Sequence, residues 1–98
     1  MKILALEHDV ASAAKDQFEP HLKAEALQVW NLCQSGVLRE VYFRDDRPEA
    51  VLVLECADAV EAEQVLSSLP LVSEGLISFE IIPLRPYDGL ARLFAPGA

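Results

Sequence analysis

Three side chains in this sequence have the type and setting to handle a proton and an anion: Glu25, Arg39 and Tyr42. Glu25 falls three residues after Leu22 and four before Val29, so a carboxylate interrupts an apolar stripe of helical period. Burial there would raise its pKa toward neutrality and make it a usable acid/base. The structural alternative is a flank residue near a helix start, where negative charge is favourable in any case. Arg39 stands among Val37, Val41 and Phe43, company in which a guanidinium needs a carboxylate partner. That partner is either an acidic substrate, held bidentately, or a protein group such as Glu40 or an acid of a neighbouring subunit. Tyr42, on the other face with Leu38 and Glu40, offers a phenolic donor to a carbonyl or enolate, or else fills a core or interface.

Further candidates surround these. His8 closes the first strand, where a titratable group can open onto a cleft, and His21 follows Pro20 just ahead of a helix; for both the plainer role is a surface histidine. Tyr87, in the C-terminal stretch, is placed to close a cavity over a substrate. The two histidines and the two cysteines, Cys33 and Cys56, lack the close paired spacings of metal sites. Four well-separated glycines form no phosphate loop, and no serine sits in a nucleophile elbow. The expectation is chemistry without a metal or cofactor. Both cysteines lie in apolar segments and read as buried thiols rather than a disulfide.

These residues must be positioned by a simple order of elements. Lys2 to Leu6 reads as a strand ended by His8-Asp9, and the segment from Ala11 to Glu19, cut off by Pro20, reads as a loop with a helical turn. From His21 to Ser35, Leu22, Ala26, Val29, Leu32 and Cys33 share one helical face, Trp30 joins the core, and Gly36 stops the helix. Val37 to Arg44 and Ala50 to Cys56 are strands, joined as an antiparallel hairpin by the charged turn Asp45 to Glu49. Asp58 with Glu61 three residues on opens a second helix that reaches Leu69, and Gly75 to Leu84 is the last strand. The order β-α-β-β-α-β predicts an α+β, ferredoxin-like subunit with an antiparallel sheet and one uncovered face.

Length and composition agree with a single domain over residues 1–98, with 85–98 a C-terminal extension that keeps two aromatics and two arginines and reads as docked. An apolar fraction of 52% is high for 98 residues and predicts that a partner chain covers a patch. Sixteen acidic against eight basic residues, with the basic ones scattered, argue against nucleic acid as a partner. No apolar run approaches the roughly 20 residues of a membrane span. The start has no uninterrupted signal-peptide core, which predicts a cytoplasmic protein.

The stretch from Glu25 through Gly36-Val37-Leu38-Arg39, the hairpin, the second helix and Leu69-Pro70-Leu71 before the last strand resembles the muconolactone isomerase family, over roughly residues 21 to 82. The resemblance implies a dimeric α+β barrel, in which the open sheet faces of two subunits pack together and enclose a cavity for a small organic molecule. It also implies a proton shift within an unsaturated lactone or acid, an isomerase activity; the residues read above would then serve as acid/base (Glu25), anion clamp (Arg39) and polarising donor (Tyr42), although that family carries histidine and tryptophan at the positions of Glu40 and Tyr42. Homodimers and rings of dimers go with it. A non-catalytic dimeric module that binds a small ligand or serves assembly is the alternative, since one fold hosts many functions.

Overall fold

The computed structural model describes residues 1–10 and 14–97. Its elements run β1 (Lys2–Asp9), α1 (Lys15–Phe18), a 3-10 turn (Glu19–His21), α2 (Leu22–Gln34), β2 (Leu38–Phe43), β3 (Ala50–Glu55), α3 (Ala59–Ser67), α4 (Pro70–Ser73), β4 (Ile77–Pro83) and a second 3-10 turn (Gly89–Leu93). The strands form one sheet in the order β2-β3-β1-β4, every neighbouring pair antiparallel. This is the ferredoxin-like α+β arrangement that the order of patterns predicts.

Alternation assigns the two faces of that sheet. Ile3, Ala5, Leu52 and Leu54 point under the helices, where they are buried with Leu38, Cys56, Ala62, Leu66 and Leu69. Each fully buried leucine or isoleucine contributes about 1.5–3 kcal/mol relative to exposure, so this layer holds the subunit together. The other face carries Leu4, Leu6, Val51, Val53 and Ile82, all half-buried, because no helix covers them. Both thiols are free, Cys56 buried and Cys33 partly so.

Local chemistry sets the element ends. Gly36 has φ of 81°, a left-handed stop after α2 that a side chain would strain. Asp58 Oδ1 accepts the Glu61 N–H at 2.8 Å and caps α3, as the Asp-x-x-Glu spacing predicts. Pro70 then opens α4, a single helical turn where the sequence reading has a helix running to Leu69 and stopped by Pro70.

Four expectations need correction. β1 does not stop at Leu6: it continues through His8 to Asp9, held by pairing with Ser78 and Ile77 of β4. Trp30 is not core; it is 60% exposed, because α2 turns Glu25, Gln28, Val29 and Leu32 inward and leaves Trp30 on its outer flank. Tyr42 does not share a face with Leu38. A register shift between Leu38 and Glu40 makes Arg39 the extra residue of a β-bulge, so Leu38 faces the helices while Glu40 and Tyr42 face the open side. The C-terminal extension is not docked on its own subunit, and Tyr87, Leu90, Leu93 and Phe94 are all exposed. Residues 11–13 of the expected loop lie outside the described residues; α1 and a 3-10 turn occupy most of the remainder.

Candidate functional site

Glu25 sits in the first turn of α2 on its inner side, half-buried. Its Oε1 accepts the N–H of Leu71 at 2.9 Å. Leu71 is the second residue of α4, so the carboxylate meets an amide that the helix itself leaves without a partner. Burial raises the Glu25 pKa above the usual carboxylate range, and the bond from Leu71 offsets part of that rise.

A second carboxyl lies at the same end of the helix–sheet layer. Glu7 follows Ile3 and Ala5 in the strand alternation and therefore points beneath the helices rather than to solvent. Its cross-strand partner is Phe79, which packs on the cluster of Leu71, Leu76 and Ile77, the same Leu71 whose amide binds Glu25. Glu7 Oε1 accepts the Ala50 N–H at 3.2 Å. Burial first, then the bond and charge of Asp9 and the charge of Glu49, push its pKa up to about 7, against the opposing pull of the Ala50 amide. Sequence reading passes over Glu7 because strand β1 seems to end around it; the signal was the odd-numbered run Ile3, Ala5, Glu7. His21, half-buried in the turn that enters α2, stands at this end too.

The other expected residues lie elsewhere. Tyr42 is on the open face of edge strand β2, where its hydroxyl donates to Glu40 Oε1 at 2.7 Å; that bond raises the phenol pKa. Pairing builds two rows across this face, Glu40-Val53-Leu4-Ile82 and Tyr42-Val51-Leu6-Glu80. His8 and Ser78 follow, with His8 Nε2 3.6 Å from Glu80 Oε1. The open face is thus an apolar strip bounded by a tyrosine–carboxylate pair on the β2 edge and a histidine–carboxylate pair on the β4 edge. Arg39, exposed in the bulge at the start of β2, donates its Nε–H to the Gly36 carbonyl. Tyr87 lies far along the chain, its ring folded over Gly89.

One subunit therefore brings Glu25, Glu7 and His21 to one end of the helix side, and His8 and Tyr42 to the open face, with the sheet between the two groups. A cavity of about 170 Å³ opens between α3 and β4, lined by Leu66, Val72, Phe79 and Ile81 among others. A larger groove of about 710 Å³ lies at the base of the C-terminal extension, against Met1, Lys2, Leu84, Arg85 and Pro86. Among the described residues no three His, Cys, Asp or Glu side chains are grouped to hold a metal ion, and no helix is long and apolar enough to cross a membrane.

Sheet order, helix placement and the uncovered face define the class: a ferredoxin-like α+β subunit with the fold of the dimeric α+β barrels. The chain is similar in structure to 5-chloro-2-hydroxyhydroquinone dehydrochlorinase of Burkholderia phenoliruptrix AC1100, solved in complex with 2,5-dihydroxybenzoquinone. The TM-score is 0.68 over 91% of this chain and 98% of that one, at 13% sequence identity. No family model and no curated protein matches the sequence.

Proposed function

We propose that the chain is a homodimeric small-molecule enzyme that shifts a proton within an unsaturated acid or lactone, the chemistry of the muconolactone isomerase family that its sequence resembles. The observation that carries this reading is Glu25, a half-buried carboxyl with a raised pKa, one backbone N–H as its hydrogen-bond partner, and a second near-neutral carboxyl, Glu7, at the same end of the layer. Two half-buried carboxyls whose surroundings both raise their pKa values can divide the work. Glu25 takes a proton as base, while Glu7, half-protonated near pH 7, returns one to another carbon of the conjugated system. His21, one helical turn before Glu25, is a substrate contact at the same end of the layer. In the dimer the open faces pair, and Tyr42 and His8 line the enclosed space, with Arg39 at its margin as the anion clamp. The sheet separates this space from Glu25 and Glu7, so Tyr42 serves as donor to a ligand held between the sheets, with Tyr87 as a closing group, and takes no part in the proton transfer on the helix side. The similar structure is that of an enzyme in complex with a small ring compound, which supports a small organic substrate.

The non-catalytic reading is favoured by a specific observation as well: Glu25 and Arg39 already bond to backbone groups, and the sheet separates Glu25 from Tyr42. The two readings part in one experiment. Isomerisation of a muconolactone-type lactone is followed by ultraviolet absorbance for the native chain and for Glu25→Gln and Tyr42→Phe, with ligand binding measured in parallel. Loss of turnover in Glu25→Gln with retained binding supports the enzyme. Binding without turnover in the native chain supports the module.

A further inference from the structure

Strand β4 is an edge strand, and its roof is incomplete. Helix α3 ends at Ser67 and α4 is a single turn, so a cavity of about 170 Å³ opens between α3 and β4. Its wall is apolar: Leu66 of α3, Val72 of α4, and Phe79 and Ile81 of β4. Phe79 and Ile81 pair with Glu7 and Ala5, which puts them on the helix side of the sheet. Leu66 belongs to the buried core, and Val72, Phe79 and Ile81 pack against that core while staying half-buried. An apolar space of about 150 Å³ stays dry and takes up benzene, so this volume matches a single ring and little more.

The polar side of this cavity carries hydrogen-bond acceptors and no cation. Glu63, Leu66 and Ser67 fall three and four apart on one face of α3, and all three line the space. Ser67 Oγ donates to the Glu63 carbonyl at 2.8 Å, which leaves the hydroxyl oxygen to accept. The exposed Glu63 carboxylate accepts as well. Among the described residues no lysine, arginine or histidine lines the space. Two further carboxyls adjoin the wall: Phe79 is the cross-strand partner of Glu7, and Val72 follows Leu71, whose N–H bonds Glu25 at 2.9 Å. A carboxylate carried in on a ring would give up its water and meet like charge with no counter-ion. A hydroxyl on the same ring would find acceptors, and a few such polar groups in an apolar pocket fix a ligand's orientation.

We propose that the cavity between α3 and β4 binds a single uncharged ring bearing a hydroxyl or similar donor, with the ring against Phe79 and Ile81 and the donor turned to Glu63 and Ser67. Placed there, the ring is the part of the substrate next to Glu7 and Glu25, a role that rests on the proton transfer proposed above; occupancy of the cavity does not depend on it. Charge then decides between the two substrate forms: an uncharged lactone fits, and an ionised acid does not. The sheet lies between this cavity and the open face, so Tyr42 and His8 have no contact with the ring.

The experiment titrates the full chain with phenol and, separately, with benzoate at pH 8, and follows the amide resonances in proton–nitrogen correlation spectra. Phenol is uncharged at that pH and benzoate is the ring of the same size with an ionised carboxylate. The expected result is that phenol shifts the amides of Leu66, Ser67, Val72, Phe79 and Ile81, and that benzoate binds at least about tenfold more weakly. Ile81→Phe and Val72→Phe each fill the cavity from a different wall, and circular dichroism checks that each is folded. Either folded variant should weaken phenol binding by about tenfold or more. No phenol shifts in the native chain, shifts confined to open-face residues such as Val51 and Val53, equal affinity for benzoate, or unchanged phenol binding in a folded, filled variant overturns the proposal. The reaction is read separately on the native chain. Phenol at the cavity without turnover of a lactone supports the site and fails the proton transfer alone, whereas turnover by a chain that shows no phenol shifts fails the site alone.

Discussion

The two faces of the sheet use similar residues to opposite ends. On the helix side, Leu52 and Leu54 are 3% and 1% exposed and interlock with α2 and α3; one residue over in the same strand, Val51 and Val53 are equally apolar yet only half-buried. The helix side is finished within one chain, and its polar groups Glu7 and Glu25 are half-buried beside it and carry raised pKa values. The open side is unfinished, and its polar groups sit at the rim in exposed pairs, Tyr42 with Glu40 and His8 with Glu80. The difference teaches that stability is built on the first face, which also holds the half-buried carboxyls of the proposed proton transfer, and leaves the second as the surface proposed for association.

The sharpest way to break that division is a pair of truncations in adjacent positions of β3. Leu54→Ala should cost about 2–5 kcal/mol in urea unfolding, since it opens a cavity in a closed layer, whereas Val53→Ala should cost about 1 kcal/mol or less. Equal losses would mean that the open face is as tightly packed as the core.

Glu25 comes next. Glu25→Ala leaves the Leu71 amide without its acceptor and should lower stability by about 1 kcal/mol, while Glu25→Gln keeps an oxygen in place and should be nearly neutral. Thermal unfolding of the two variants measures whether the carboxyl is held for its charge or only as a cap. A large loss in Glu25→Gln would assign it a structural role.

The smallest effect is a pH dependence confined to the helix side. Glu7 titrates near pH 7 in the folded chain and near 4.5 when unfolded, so between those values the folded state binds more protons. Stability from this group is therefore present below pH 4.5 and falls as pH rises through 7. Glu7→Gln should stabilise the protein at pH 8 by on the order of 1 kcal/mol, discounted for partial exposure, and should have little effect at pH 4. A stabilisation that does not change with pH would show that Glu7 is solvated in the native chain.

Much of this architecture was legible in the sequence. Strand order, the hairpin at Asp45 to Glu49, the Gly36 stop and the Asp58 cap all follow from local chemistry, because each depends on residues close in the chain. What escaped depends on pairing across the fold. The Arg39 bulge reverses the phase of β2, and nothing in the alternation of Val37 to Arg44 announces it. Strand β1 reaches Asp9 only because β4 pairs with it, which hid Glu7. Trp30 reads as core because an amphipathic stripe tells which residues are apolar, not which flank has a neighbour. The extension from Arg85 to Phe94 reads as docked for the same reason: its apolar side chains require a surface, and the sequence does not say which.

The measurement that bears most directly on this account is the solution mass of the native chain beside Val53→Glu, by sedimentation equilibrium over a range of concentrations. With the open face as the association surface, the native chain should have at least twice the 10.8 kDa chain mass, and Val53→Glu should fall by half or more while its circular dichroism stays native. A native chain that stays at 10.8 kDa, or a Val53→Glu variant whose mass does not change, would contradict it.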